Sequence, residues 1–502
     1  MTPGMPARQR RAQRAASLGA VLLLLAGCTT PLLPPGPGTG RSSSAPAYYD
    51  QVPRCDAPSP GAPSAQAAAA VVEESSSLGK GWAGMPVGQA LLTTGSNQYV
   101  AYYDVKRQLI LAQRSIAKNG EPASEWRTKP LDTTLGWDSH NYVTMAVDRD
   151  GALHVAGNMH RDPLFYVRTD PGGDITTAKR VTTMVDPARE GSVTYPVFLH
   201  LADRSLAFYY RDGGSGGGSI YLNRYREKSG TWDDVIGGSL FGVQHEDPTA
   251  DEDSNAYITD PVLGDDGYFH VLWVWRTTPD VSSNTDLTYA RTKDFTTWYS
   301  ADGHELPIPF EPGQGDVIDP VPVGGGLING IQRIGFDHEG KVVVTYAKYD
   351  EGKNVQIYAA TPDGGTWSTH QLTQWENSFP IEGTGTISPP VSVGRAVPQG
   401  SGNLAIDYSC GGAGMTLTVD GDGRFVSQTH RAPEYTTEVL TAREKFEGMR
   451  VRVAGDLGPG QGHEPRRRYV LRWEALGSNR DQPRTQWPKQ GSEVSILMLE
   501  DP

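Results

Sequence analysis

The sequence predicts an all-β protein whose folded part, residues 78–502, is one large seven-bladed β-propeller. The chain has 59 glycines and many short segments in which apolar and polar residues alternate, a pattern typical of strands joined by tight turns. A turn-plus-strand unit recurs along the chain. No linker-like segment interrupts residues 78–502, so we expect one repetitive domain rather than several.

The N-terminus has the composition of a lipoprotein signal peptide. Four arginines, at positions 8, 10, 11 and 14, precede an apolar run over residues 15–26 that leads into Gly27-Cys28. This predicts a signal peptide over residues 1–27, lipidation of Cys28, and an exported bacterial lipoprotein at the outer membrane or cell surface. A short membrane anchor is the alternative, but the run is well short of the ~20 residues that a spanning helix needs.

Residues 28–77 are rich in Pro, Ser, Gly and Ala and contain too little apolar surface to form a core. They are therefore predicted to be a flexible tether. Of the three cysteines, lipidation uses Cys28, which leaves Cys55 and Cys410 in an oxidising compartment where they can pair. Two buried thiols, or a cysteine ligand to a metal, are the alternatives.

The repeated unit is an Asp/Gly turn followed by an alternating strand. Its copies are DRDGALHVAG from Asp148, LADRSLAFYY from Leu201, GDDGYFHVLWVW from Gly264, DHEGKVVVTYAK from Asp337 and DGDGRFVSQT from Asp420, with a looser copy from Leu91. The five close copies start 53 to 83 residues apart. A four-stranded blade with its loops needs such a length, so the folded region holds roughly seven blades. A string of β-sandwiches would need domain breaks that the sequence lacks.

A second element, GTWDD at Gly230, DFTTWYS at Asp294 and GGTWSTH at Gly364, presents a tryptophan at the start of the predicted outer strand. These segments resemble degenerate Asp-box repeats of sialidase-like propellers.

Polar side chains gather around two consecutive predicted hairpins. His140 and His160 flank one, and Tyr195 and Arg211 flank the next. Because inner strands and their loops converge on the central channel of a propeller, we expect these four side chains at one end of that channel.

The folded region resembles the BNR-repeat proteins that include the ulvan lyases, which are polysaccharide lyases with a seven-bladed propeller. The strings that carry the resemblance are DSHNYVTMAVDRDGALHVAGNMH, TYPVF followed by FYYRDGGSGGG, FHVLWVWRTTPDVSSNTDLTYARTKDFTTW and YVLRWEALGSNRDQPR. The resemblance extends over nearly all of residues 78–502.

This resemblance implies β-elimination next to a uronic acid in an anionic polysaccharide. It implies that His140 and His160 line the reacting centre, that Tyr195 acts as base or acid, and that Arg211 clamps the sugar carboxylate. Whether His140 or Tyr195 takes the ring proton stays open. The expected substrate-binding residues are Tyr257, His270, Arg276 and Asn141.

Each of these assignments has a structural alternative. A strand histidine such as His270 is often a packed core residue, as we interpret His154 and His200. Arg211 can instead pair with Asp212 or with a carboxylate of a neighbouring blade, and Tyr195 can be a packing aromatic. The chemistry requires no cofactor. Some relatives hold a structural metal, but Thr285 stands where they have a histidine, which argues against a metal there.

Charge limits the partners. Lys plus Arg is 45 and Asp plus Glu is 58, a net charge of −13, so nucleic acid is not an expected partner. An anionic polysaccharide needs a local cationic cleft, for which the candidates are Arg161, Arg168, Arg211 and Arg276. A non-catalytic glycan-binding lipoprotein is the main alternative function. A sialidase-like glycosidase would need an arginine triad, and the sequence offers no convincing one.

Overall fold

The computed structural model describes residues 69–116, 123–242, 255–376, 378–387, 389, 391–411, 413–431, 433–458 and 467–501. These residues form seven antiparallel sheets, numbered I to VII below. The predicted all-β class is confirmed, because the described part of the chain contains a single α-helical turn, α1 (Thr437–Leu440), and three short 3₁₀ helices, Ile175–Thr177, Val281–Ser283 and Gly400–Gly402. Within the same ranges, no helix has the length and apolar character of a membrane span.

Three predictions concern residues that lie outside the described ranges. These are the signal peptide over residues 1–27, the lipidated Cys28, and the tether up to residue 68. Cys410, at the end of a strand, is disulfide-bonded. Cys28 and Cys55 both lie outside the described residues, so the pairing with Cys55 stays a prediction.

The strands of sheets I to III follow one another along the chain, apart from a short strand, β8, that joins the third sheet. Sheet I contains β2 (Ala90–Thr94), β3 (Asn97–Tyr103), β4 (Gln108–Ser115) and β5 (Arg127–Thr134); sheet II contains β6 (Val143–Val147), β7 (Leu153–Gly157), β9 (Tyr166–Arg168) and β10 (Lys179–Val181); sheet III contains β8 (His160–Asp162), β11 (Val193–His200), β12 (Leu206–Asp212), β13 (Ser219–Arg226) and β14 (Thr231–Asp234).

Sheets IV to VI continue the series, and sheet VII combines the first described strand with the last three. Sheet IV contains β15 (Asn255–Ile258), β16 (Val262–Leu263), β17 (Phe269–Arg276), β18 (Asn284–Thr292), β19 (Trp298–Tyr299), β20 (Glu305–Leu306) and β21 (Asp316–Asp319); sheet V contains β22 (Arg333–Phe336), β23 (Val342–Tyr349), β24 (Val355–Asp363) and β25 (Thr366–Gln371); sheet VI contains β26 (Val391–Pro398), β27 (Leu404–Cys410), β28 (Ala413–Val419) and β29 (Phe425–His430); sheet VII contains β1 (Val71–Gly81), β30 (Arg450–Gly455), β31 (Arg467–Ala475) and β32 (Ser492–Glu500).

The predicted Asp turns have a simple local cause. The Asp148 Oδ1 accepts hydrogen bonds from the backbone N–H groups of Asp150 (3.0 Å) and Ala152 (2.9 Å), and Asp337 and Asp420 do the same for the residues two and four positions on. Gly151 supplies the left-handed conformation that closes the first of these turns. The predicted tryptophans, Trp232, Trp298 and Trp367, lie in β14 of sheet III, β19 of sheet IV and β25 of sheet V.

Apolar side chains are buried between neighbouring sheets. Val343 and Ile357 of sheet V, for example, belong to one buried cluster with Leu404 and Leu417 of sheet VI. Edge strands of successive sheets also touch, since β2 contacts β6 and β30, β6 contacts β11, and β22 contacts β26. Neighbouring sheets therefore pack face to face, and four pairs of sheets also meet through these strands.

Sheet VII corrects the predicted boundary between tether and fold. The boundary was expected after residue 77, but β1 begins at Val71 and pairs with β32, with Val71 opposite Glu500. The Ser- and Glu-rich segment from Val71 to Ser77 has the composition of a linker. Its partner strand lies more than 400 residues away, so no local pattern reveals the pairing.

Two buried histidines occupy equivalent positions in sheets II and IV. His154, on the second strand, has Nε2 3.1 Å from the turn residue Asp148 and Nδ1 2.8 Å from the Tyr166 hydroxyl on the next strand. His270 repeats the arrangement in sheet IV, with its Nε2 3.2 Å from Asp266. Burial lowers the pKa of both imidazoles below the ordinary value, despite the neighbouring carboxylates.

This lowered pKa predicts acid sensitivity of the fold. A neutral buried histidine stabilises the protein fully above the unfolded pKa of about 6.5, and this contribution is lost as the pH falls below it, at about 1.4 kcal/mol per pH unit for each proton. His154→Gln is expected to reduce the pH dependence of the unfolding free energy between pH 7 and pH 5 by about one proton. Denaturant titrations at several pH values measure this slope, and a slope equal to that of the unmodified protein would contradict the prediction.

Candidate active site

The loop between β5 and β6 brings an aspartate to two histidines. Asp138 Oδ1 accepts a hydrogen bond from the backbone N–H of His140 (2.9 Å) and lies 2.7 Å from the Nδ1 of the same residue. An aspartate readily bonds the N–H two residues on, so the local sequence Asp-Ser-His forms this turn by itself. The other oxygen, Oδ2, lies 2.5 Å from Nδ1 of His160 on β8. One carboxylate thus holds both imidazoles, whose ring centroids stack 4.4 Å apart.

The hydrogen bonds among Asp138, His140 and His160 determine where their protons lie. Partial burial alone would raise the pKa of Asp138, but the hydrogen bonds from His140 and His160 outweigh it, and its pKa lies well below the ordinary value. An ionised carboxylate only accepts, so each Nδ1 carries a proton, which in a neutral imidazole leaves the lone pair on Nε2. His160 Nε2 is buried with no partner among the described residues, and His140 Nε2 lies 3.3 Å from Thr386 Oγ1.

Sheet III aligns the next residues through its register. Thr194 on β11 pairs with His160 on β8 and with Arg211 on β12. Tyr195 therefore lies next to both, at a bulge where Pro196 lacks the N–H that a regular ladder needs. Tyr195 has a φ of 53°, a strained conformation for a bulky residue that is characteristic of functional sites.

The Tyr195 ring lies between a histidine and a guanidinium. Its centroid is 5.7 Å from that of His140, and the Cζ of Arg211 is 4.7 Å from it. Burial raises the pKa of the Tyr195 hydroxyl to about 12, although Arg211 opposes the rise. This phenol is therefore a proton donor at neutral pH.

Arg211 is a buried cation with spare hydrogen-bonding capacity. Its side chain is 2% exposed, and its Nη1 donates to Asn255 Oδ1 at 3.1 Å. Nε and Nη2 have no hydrogen-bond partner among the described residues. The predicted alternative, pairing with Asp212, is not observed in this set of contacts. A buried guanidinium with two unbonded nitrogens favours a planar anionic ligand, because a carboxylate can satisfy it through two parallel bonds.

Tyr257 on β15 lies between two cations. Its ring centroid is 4.9 Å from the Cζ of Arg211 and 5.0 Å from that of Arg276. Burial alone would raise the pKa of Tyr257, but the two guanidiniums outweigh it and lower the pKa below the ordinary value. Arg276 itself donates to the backbone carbonyls of residues 278–280, so the loop after β17 already satisfies much of it.

Two adjoining cavities open onto these residues. The larger, of about 690 Å³, is lined by Asp138, His140, His160, Tyr195, Ser215, Arg276 and residues of three further loops, at positions 328–331, 384–387 with 389, and 480–482. The smaller, of about 280 Å³, adds Arg211 and Tyr257 and shares His140 and Tyr195 with the larger. The four predicted catalytic residues therefore face one connected space, as do Tyr257 and Arg276.

Two predicted substrate-binding residues do not reach this space. His270 is 2% exposed and belongs to the Asp266–Tyr289 arrangement described above, so its assignment as a substrate contact is corrected to a core residue. Asn141 is buried, and its side-chain NH₂ donates to Asn158 Oδ1 while its backbone carbonyl accepts from the Tyr103 hydroxyl. Arg168, a proposed member of the cationic cleft, instead bonds Tyr225 and the Gly230 carbonyl.

Several residues of the site were not predicted. Asp138 stands two positions before His140 in a string already singled out, so its Asp-x-His spacing was a usable signal. Asp481, Thr386 and Ser215 come from separate loops whose approach only the tertiary structure reveals.

Asp138, His140 and His160 are also the one group of potential metal ligands found close together in the described ranges. Two ligand atoms of a tetrahedral zinc ion lie about 3.3 Å apart, given bonds of about 2.0 Å. The Asp138 oxygens lie 2.7 and 2.5 Å from the imidazole nitrogens, which are hydrogen-bond distances. The geometry therefore fits a shared carboxylate better than a coordinated ion, and we assign no metal.

Known proteins resemble this chain in sequence pattern and in fold. The polysaccharide lyase Uly1 superposes with a TM-score of 0.60 at 13% identity, covering 86% of this chain and 99% of that chain. An ulvan lyase of the PL25 family gives a TM-score of 0.55 at 12% identity, covering 86% and 96%, both free and bound to -[GlcA(1-4)Rha3S]-. At such identities the likeness shows the fold alone. No curated protein matches the chain significantly.

The family model described as "BNR repeat-containing family member" matches residues 97–375, which include every predicted catalytic residue. The resemblance identified from the sequence is thereby confirmed. Because the match covers more than half of the sequence, the chain belongs to the BNR repeat-containing family.

Proposed function

We propose that this protein is a polysaccharide lyase that cleaves a uronic-acid-containing polymer by β-elimination. The observation that carries the proposal is Arg211, a buried guanidinium with two unbonded nitrogens, in the same cavity as a histidine and a protonated tyrosine. β-Elimination needs three groups in this arrangement: a cation for the sugar carboxylate, a base and an acid.

Arg211 would neutralise the uronate carboxylate. Pairing its Nε and Nη2 with the two carboxylate oxygens acidifies the ring proton next to that group, because charge that develops on the carboxylate is stabilised where it forms. The Gly-rich loop after β12 covers this guanidinium, since Asn255 bonds both Arg211 and the carbonyls of Gly214 and Gly217.

His140 would then act as the base and Tyr195 as the acid. The Nε2 lone pair of His140 takes the ring proton, the electron pair forms the new carbon–carbon double bond, and the glycosidic C–O bond breaks. Tyr195 donates its phenolic proton to the leaving oxygen. The raised pKa of Tyr195 supports this division of roles, because a phenol that stays protonated at neutral pH is a donor rather than an acceptor. Water would return the proton from His140 to Tyr195.

The fold and location complete the proposal. We propose that sheets I to VII are seven blades of a propeller, which agrees with their strand pairing, their face-to-face packing and the fold of the similar lyases. The predicted signal peptide and Cys28 favour an exported, lipid-anchored protein, and a cell surface is where such a polymer would be met. The neighbour that binds a GlcA-containing fragment makes ulvan-like polymers the first candidates.

Ultraviolet absorbance tests the proposal, because β-elimination leaves a conjugated unsaturated sugar. The purified protein, incubated with a panel of uronic-acid polysaccharides, is expected to raise the absorbance with at least one of them. Tyr195→Phe should lower the rate about 10²-fold by removing the proton donor, whereas Tyr268→Phe, a tyrosine in a surface turn, should not. Tight binding of a polymer without any rise in absorbance would contradict the lyase and support a glycan-binding protein.

A further inference from the structure

We infer that Asp481 is a positioning residue for His140, acting through the hydroxyl of Thr386. The inference rests on the proposed function, because it gives His140 the role of base. Asp481 lies in the long loop between β31 and β32, in the sheet that joins both ends of the described chain. It reaches two loops that belong to other sheets.

The Asp481 carboxylate accepts four hydrogen bonds. Oδ1 accepts from the backbone N–H (3.0 Å) and hydroxyl (2.7 Å) of Ser139, and Oδ2 accepts from the backbone N–H (2.9 Å) and hydroxyl (2.8 Å) of Thr386. Ser139 lies between Asp138 and His140. One side chain thus ties the histidine loop, the loop before β26 and the loop before β32 into a fixed arrangement.

The backbone at Arg480 and Asp481 adopts a strained conformation where this contact forms. Arg480 and Asp481 have φ angles of 48° and 59°, left-handed conformations that most residues other than glycine avoid. Hydrogen bonds to an ionised carboxylate are stronger than those between neutral groups, and four of them hold this turn. The carboxylate is ionised for the same reason. Burial alone would raise its pKa, but the bonds from Ser139 and Thr386 lower it below the ordinary value.

The direction of the Thr386 hydroxyl gives this contact its chemical consequence. Because Thr386 donates its only hydroxyl proton to Asp481, its oxygen presents lone pairs to the Nε2 of His140, 3.3 Å away. The hydroxyl therefore does not donate to Nε2. Once Nε2 has taken a proton, the same oxygen accepts its N–H. Asp481 thus supports the protonated form of the base.

The kinetic test compares Asp481→Asn, Thr386→Val and the double variant. Each single variant is expected to lower kcat about tenfold with KM changed less than twofold, because the hydroxyl acts on the protonated histidine rather than on bound substrate. The double variant should be no slower than Asp481→Asn, since both changes remove the same interaction. Asp350→Asn, which alters another carboxylate that holds a turn through Asn354 and Gln356, should leave kcat unchanged. Additive losses, or a loss confined to KM, would overturn the inference.

A second readout does not depend on catalysis. Diethyl pyrocarbonate modifies unprotonated imidazole, and mass spectrometry can follow His140 and the exposed His304 separately. Asp481→Ala is expected to speed modification of His140 at least threefold by releasing its loop, with His304 unchanged as the internal control. If the protein has no lyase activity but this acceleration is found, the proposed function fails while the Asp481 link stands. An unchanged rate at His140 would overturn the link itself.

Discussion

Replacing Arg211 by methionine is expected to lower kcat/KM about 10³- to 10⁴-fold while leaving the folded protein at least as stable. A single donor to a developing oxyanion is worth about 10²- to 10³-fold in rate, and a guanidinium adds a full charge and a second bond. The free energy of unfolding, by contrast, is not expected to fall. Arg211 is buried with two nitrogens unbonded in the described structure, and burying an unpaired charge destabilises the folded state.

The combination of lost activity and retained stability separates a functional arginine from a structural one. Absorbance kinetics measure the first, and thermal unfolding of the ligand-free protein measures the second. Arg276→Met is the matched control, because this guanidinium contacts Tyr257 in the same way but bonds backbone carbonyls. Arg276→Met is expected to destabilise the folded protein. The factor by which it lowers kcat/KM should be less than a tenth of the factor for Arg211→Met. If Arg211→Met unfolded at a much lower temperature with kcat/KM within tenfold of the unmodified protein, Arg211 would be a structural residue.

The parts of the fold that the sequence predicted are those with local causes. Asp148, Asp337 and Asp420 each close a turn through bonds to residues two and four positions on, so a short window reveals the turn and the following strand. The pairing of β1 with β32 has no local cause. Composition therefore assigned residues 71–77 to a tether, although long-range pairing makes them a strand.

Some residues of the site could be predicted from the sequence and others could not. His140, His160, Tyr195 and Arg211 were predicted because a family resemblance marks them, and the structure brings them together. His270 shows the limit of residue type as a signal. It lies in a strand, as His160, Tyr195 and Arg211 do, but its bonds to Asp266 and Tyr289 place it in the core. Asp481 was beyond prediction, because its contact with Ser139 joins residues 342 positions apart.

Asp138→Asn is expected to lower kcat about 10³- to 10⁴-fold with KM changed only a few-fold. Asp138 accepts from the Nδ1 of both histidines, which fixes both in the tautomer with a lone pair on Nε2. An asparagine has one accepting oxygen and one donating NH₂ group. At least one imidazole must then accept at Nδ1 and carry its proton on Nε2. Where that imidazole is His140, it no longer serves as a base, and an inverted catalytic histidine lowers rates by about this much.

Asp162→Asn is the matched control for Asp138→Asn, because the Asp162 carboxylate lies on the same strand as His160 and, among the described residues, accepts only its backbone N–H (3.0 Å). It leaves both tautomers unchanged, so kcat should stay within about threefold if a single exposed hydrogen bond is all that is lost. The pH profile gives an independent check. Since the pKa of Asp138 lies below its ordinary value, its protonation cannot cause an activity loss near neutral pH, and any such loss must come from other groups. Equal losses in Asp138→Asn and Asp162→Asn would mean that the carboxylates only hold β8 in place, whereas a loss confined to Asp138→Asn would assign the effect to the shared histidine tautomers.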